Sequence, residues 1–255
     1  MRSKPERIHD LTDRERKILY YTIHKFILDT EAVGSRTISK AFDYDMSPAT
    51  VRNICSDLEE WGFLEQPHTS AGRVPTDKGY RYYLNELLRI QDVAQKHRER
   101  IQREYEQKMS TLDDILQKTA RILSALSSHT AVVGHPDQQH FEISRMSLML
   151  DKPDFKNIIT LKEAMRVLEE PENIGEVFRS TDVAGDEVDV KLGRELNLPA
   201  LAEFGVIKAS YQVNDNVQGT VCIVGPKRMP YGRLIATVAA IKDAMNAAVR
   251  RLIGG

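Results

Sequence analysis

The chain is short of the residues that most often announce a chemistry. Its two cysteines, Cys55 and Cys222, stand far apart inside apolar patterns. That excludes a disulfide framework and a paired-cysteine metal site, and each reads as a small buried hydrophobe in a reducing compartment. No stretch approaches the roughly 18 consecutive apolar residues that a membrane span needs. The first residues, MRSKPERIHD, are too polar for a secretory signal. Both absences point to the cytoplasm. Charge of one sign is lacking as well: 36 Lys and Arg against 37 Asp and Glu leave a net charge of −1, which argues against nucleic-acid binding by bulk positive charge. There is no G-x-S-x-G elbow, Walker loop, H-E-x-x-H or C-x-x-C, and scattered Ser, His and Asp carry no triad information. The expectation is a protein that is not an enzyme and holds no cofactor. His129, His135, Asp137 and His140 lie near one another in the sequence, but at a spacing that matches no standard metal site.

What is present is concentrated in residues 47–83. Ser47 followed by Pro48 starts a helix: the Ser hydroxyl accepts from orphan amides, and Pro at the first position loses a hydrogen that had no partner. Val51, Ile54, Cys55 and Leu58 then recur at i, i+3, i+4, i+7, the stripe of a helix on a core. The opposite face carries Thr50, Arg52, Asn53 and Ser56, short polar and cationic groups suited to base edges and phosphates. Gly62 ends the helix, and Phe63, Leu64 and the polar tip HTSAGRVP read as a hairpin. Upstream, Thr12 and Glu15 form a capping box for a helix that buries Ile18, Leu19, Thr22, Ile23, Phe26 and Ile27. A shorter helix fits Ser35 to Ala41. Each signal alone is more often a scaffolding helix or a plain turn; their order and tight spacing outline a winged helix-turn-helix.

This module has no net charge to rely on, because residues 1–83 hold thirteen Lys and Arg against thirteen Asp and Glu. Nucleic-acid binding there depends on arrangement, with Arg36, Lys40, Arg52, Arg73, Lys78 and Arg81 on one face; a mixed-charge solvated surface is the alternative. Tyr80, Tyr82 and Tyr83 follow the hairpin, where packing of a boundary is a better reading than base stacking.

Residues 89–127 lack Gly and Pro and carry Ile101, Tyr105, Leu112, Ile115, Leu116, Thr119, Ile122, Leu123 and Leu126 at helical intervals. They predict a long amphipathic helix, broken near Ser110, whose stripe faces either a partner helix or its own chain. Farther on, Phe204 to Val213 and Gly219 to Val224 predict a strand hairpin, and Leu234 to Val249 a helix. The fold class is therefore α+β.

The segments LTDRERKILYYTIHKFI, VGSRTISK, SPATVRN, SDLEEWGFLEQPHTSAGRVPTDKGYRYYLNEL and IVGPKRM closely resemble HrcA, the family of bacterial heat-shock repressors. The match is nearly continuous over the first ninety residues and resumes in the last hundred and ten. The resemblance implies a winged helix that binds an inverted-repeat operator ahead of chaperone operons, action as a homodimer, and a chaperonin partner, GroEL. It also implies a GAF-like second domain. One departure stands out: after TAVVGHPDQQHFEI the chain moves directly to SRMSLMLDKPDF, so roughly eighty family residues are absent, including an inserted dimerisation domain, and GHPDQQH reads as the joint. The domain expectation is 1–88 for the winged helix, 89–128 for a linking and dimerising helix, and 129–255 for a shortened GAF-like domain with a structural role. Duplex DNA is expected to meet Arg36, Thr37, Ser47, Thr50, Arg52 and Asn53, with His68, Thr69, Ser70 and Arg73 on the wing. A ligand-sensing GAF-type regulator and a winged helix that pairs with protein or RNA are the alternatives.

Overall fold

The computed structural model describes residues 11–42, 45–69, 71–88, 101–105, 111–135, 140–150, 154–155, 158–170, 172–175, 188–214 and 217–253. The chain divides into two compact units, Met1–Glu86 and Leu87–Gly255.

The first unit is built by local capping. α1 (Asp13–Asp29) starts where Thr12 Oγ1 accepts from the Glu15 amide at 3.4 Å and the Glu15 carboxylate accepts from the Thr12 amide at 2.7 Å. It buries Ile18, Leu19, Thr22, Ile23 and Ile27, while Phe26, expected in the core, is half-buried. α2 (Ser35–Ala41) buries Ile38 and Ser39. The Ser39 hydroxyl donates to the Met46 carbonyl at 2.6 Å and so fixes the turn before α3 (Pro48–Glu60). In α3 the Ser47 hydroxyl accepts from the Thr50 amide at 3.1 Å, and Val51, Cys55 and Leu58 are buried. Ile54, at the margin of the stripe, is only half-buried. Gly62, at φ +74°, turns the chain out of the helix. β1 (Leu64–Glu65) and β2 (Val74–Pro75) pair antiparallel as Leu64–Pro75 and Glu65–Val74. Thr76 then accepts from the Gly79 amide at 3.1 Å and starts α4 (Asp77–Leu88). Tyr80, Tyr83 and Leu84 are buried, and the Tyr20 and Tyr83 ring centroids lie 4.5 Å apart. The tyrosines pack the unit.

The second unit is an antiparallel sheet between helices. Its described strands, β3 (Thr130–His135), β4 (His140–Ser144), β5 (Asp189–Leu192), β6 (Phe204–Asn214) and β7 (Val217–Pro226), lie in the order β4-β3-β7-β6-β5. α5 (Leu112–Ser127) opens on a capping box between Thr111 and Asp114. With α7 (Tyr231–Ile253) it covers one face of the sheet. The other face carries Val132, Phe204, Val206, Cys222 and Val224, packed by Leu161, Ala164 and Leu168 of α6 (Ile158–Glu169) together with Met149 and Leu201.

Two expectations change here. The stripe assigned to a partner helix is covered by its own unit, since Ile115, Leu116, Leu123 and Leu126 are all buried. The reason is that α5 is too apolar on that side to leave the sheet and α7 unpaired. The string GHPDQQH does not merely join segments: its ends belong to the β3–β4 ladder, with Gly134 opposite Phe141 and His135 opposite His140. Asp137, the rest of that string between the strands, Ser70 and the helix expected over 89–100 lie outside the described residues.

The phrase IVGPKRM acts as a clamp. Met229 is fully buried, Arg228 forks onto the Asp154 carboxylate at 2.8 and 3.0 Å, and Tyr231 donates to the Lys227 carbonyl. Among the described residues no helix is long and apolar enough to cross a membrane, and no group of three His, Cys, Asp or Glu residues is arranged to hold a metal ion.

Candidate nucleic-acid interface

α3 separates its faces cleanly. Val51, Cys55 and Leu58 hold the helix on the core, which leaves Thr50, Arg52, Asn53 and Ser56 exposed on the far side. Ser47 serves as the cap, with its hydroxyl also 3.0 Å from the Thr50 hydroxyl. Burial pushes the Cys55 thiol up to about 11, so beneath this face it stays protonated. On α2, Arg36 and Thr37 are exposed, and on the hairpin His68 and Thr69 are exposed. The hairpin tip is tied by Gln66, whose side-chain amide donates to the carbonyls of Thr69 at 3.1 Å and Ala71 at 2.9 Å. That fixed loop presents His68 and Thr69 outward.

Arg73 sits elsewhere than the hairpin tip. Its backbone bridges to Val33, amide to carbonyl at 3.0 Å and the reverse at 2.9 Å, which welds the hairpin root to the α1–α2 connection. Its guanidinium, 14% exposed, pairs with Glu59 of α3 at 2.9 Å. The approach is too close for any side chain at Gly72, where a Cβ would meet the Val33 carbonyl carbon at 2.4 Å. Arg73 therefore acts first as a brace between α3 and the hairpin. Its Nε is buried and has no hydrogen-bond partner among the described residues.

Arg36, Arg52, Thr69 and Arg73 do come together, with Ser35 and Ser56, around a cleft of about 580 Å³ between α2, α3 and the hairpin. Ser47, Thr50, Asn53, Thr37 and His68 do not line it. Sequence reasoning missed Ser35, Gln66 and Glu59; Glu59 lies seven residues after Arg52 on the same helix, a spacing that hinted at a shared side. Three guanidiniums against one carboxylate make the cleft attractive to phosphate despite the neutral unit around it.

The fold and this site define a class: an α+β protein in two units, the smaller offering a polar helix face and a hairpin beside a cationic cleft. Residues 80–235 match the model of the HrcA protein C terminal domain, and the chain belongs to the HrcA family. It is 29% identical to the heat-inducible transcription repressor HrcA of Carboxydothermus hydrogenoformans, over 92% of this chain and 97% of that one. To the protein of the same name in Pelotomaculum thermopropionicum it is 28% identical, over 96% and 99%. The first alignment runs over 335 positions although the chain has 255 residues, so at least 80 positions (335 − 255) have no counterpart here. The fold is shared with the crystal structure of a hypothetical protein, at a TM-score of 0.80 and 19% identity, over 95% of this chain and 99% of that one. The curated relatives are named as repressors of transcription rather than as enzymes.

Proposed function

We propose that this chain is a DNA-binding repressor of heat-shock genes, in which the first unit is a winged helix and α3 is its recognition helix. Thr50, Arg52 and Asn53 meet base edges in the major groove. Arg36 meets the phosphate backbone at the cleft that Arg73 braces, and the β1–β2 wing carries His68, Thr69 and Ser70 to the adjoining phosphates or minor groove. The observation that supports this best is the two-faced α3, whose polar face is exposed beside a cationic cleft while its apolar face anchors it. The chain binds an inverted repeat as a homodimer in the cytoplasm, releases it on heat stress, and reaches its active form with the help of the chaperonin GroEL. The second unit, a shortened GAF-like domain, has a structural and assembling role, and residues 89–128 lead into it from the winged helix.

A mobility-shift assay with an inverted-repeat operator from a chaperone promoter, its half-site, random duplex and random RNA tests the reading. Affinity falls in that order, and the order holds across salt concentrations because the base contacts do not depend on counterion release. Equal affinity for random RNA and for the operator would overturn it.

A further inference from the structure

The sheet of the second unit has two edges, and they differ. β5 carries Asp189 and Lys191, charges on the sheet face that guard an edge against further pairing. β4, His140-Phe-Glu-Ile-Ser144, has neither Lys nor Pro. Its ladder with β3 runs unbroken from Ala131–Ser144 to His135–His140, so no bulge twists the edge away. Among the described residues nothing pairs with its outer side. Such an edge offers a row of backbone donors and acceptors to another strand.

The side chains specify which strand. Phe141 and Ile143 lie on the α6 side of the sheet, partly buried against the core cluster. His140 and Glu142 point to the α5 side, where the His140 ring is 3.5 Å from Asp113 and 4.0 Å from Glu142. Its Nε2 is shielded and makes no hydrogen bond among the described residues. A second β4 laid antiparallel with Phe141 on the two-fold axis sets His140 opposite Glu142 of the other copy twice, a ring N–H against a carboxylate. Centring the pair on Glu142 would instead oppose two carboxylates, which is unfavourable. The segment is thus self-complementary in one register. The α6 side supplies apolar area to go with it, because Leu150, Ile158 and Ile159 are 53, 57 and 64% exposed in that layer.

We propose that β4 is a dimerisation edge, on which a second copy of this chain adds its own β4, centred on Phe141, to make one continuous sheet. This rests on the repressor reading only for the use of the dimer; the surface stands on its own geometry. Sedimentation of the full chain at micromolar concentration tests it, beside three variants whose folding is checked by their thermal transitions. The unmodified chain is a dimer. Glu142→Lys weakens the dimer about tenfold or more, because both symmetric pairs are lost. The exchange His140→Glu with Glu142→Lys restores it. Phe141→Cys cross-links to itself on oxidation, since residues on the axis of an antiparallel pair meet disulfide geometry. A monomeric unmodified chain overturns the proposal; so does a folded Glu142→Lys dimer of unchanged strength, or a folded Phe141→Cys chain that does not cross-link. Half-site DNA binding, measured alongside, needs only the first unit. Its absence would sink the repressor reading and leave the edge result standing.

Discussion

Arg73→Ala separates a brace from a DNA contact. In the structure the Arg73 guanidinium is held by Glu59 at 2.9 Å and is 14% exposed, while the Glu59 side chain is 36% exposed. A hydrogen bond to a charged group contributes about 1.5–3 kcal/mol. Because Glu59 regains water when abandoned, the loss is discounted to about 1–2 kcal/mol. For a unit the size of Met1–Glu86 each kcal/mol moves the melting temperature by about 4–8 °C, so a drop of about 4–16 °C follows. The chain's single tryptophan, Trp61, caps the C-terminus of α3, so its fluorescence reports this unit. The second arm is the slope of log K against log salt on random duplex, taken well below the transition. A brace leaves that slope unchanged, whereas a phosphate contact lowers it by about 0.9. An unmoved Trp61 transition together with a slope reduced by about one refutes the brace.

In the second unit, Lys208 is fully buried with the Asp189 carboxylate 3.8 Å away. Asp189→Ala therefore leaves a buried ammonium short of its carboxylate and costs about 3–5 kcal/mol in chemical denaturation, while Lys208→Met with Asp189→Leu is close to neutral; a mild Asp189→Ala contradicts this. Leu123→Asp forces a carboxylate into a site with no exposure, so the second unit loses its cooperative transition by circular dichroism; a folded protein that only changes its oligomeric state would show that α5 faces a partner after all. The Cys55 thiol, pushed up from 9.0 to about 11 by burial, binds its proton more tightly in the folded state. Its contribution is full below pH 9.0 and is lost as pH rises toward about 11. Trp61-monitored stability thus declines over that window and Cys55→Ala lacks that part of the decline; parallel profiles for the two proteins would refute it.

What was legible in the sequence is what short-range chemistry decides. Thr12 with Glu15, and Ser47 with Pro48, cap helices through partners three residues away. The exposed set Thr50, Arg52 and Asn53 follows from helical period alone. The β6–β7 hairpin was readable because long β-branched runs flank a polar turn, though both strands extend further than expected, to Asn214 and from Val217 to Pro226. The rest depends on partners far away in sequence. β3 is defined by pairing with β7, Thr130 opposite Val224, and nothing within TAVVGH distinguishes a central strand from a helix end. β5 and β4 are too short to show a period. The stripe of α5 reads the same whether α7 or a second chain covers it. Arg73 looked like a tip residue because the turn chemistry around it is strong; its bond to Glu59 crosses from hairpin to helix, a contact that no local pattern encodes.

The most direct test of the central claim is the ratio of operator to random-duplex affinity for the unmodified chain and for Asn53→Ala, at one fixed salt concentration. Asn53 is exposed on α3 and supports no packing, so the variant keeps its fold. Losing one base-reading contact lowers the ratio by roughly 5- to 150-fold, about 1–3 kcal/mol, and relaxes preference at one position of each half-site. A ratio unchanged in a folded Asn53→Ala protein would contradict the assignment of α3 as the helix that reads the DNA.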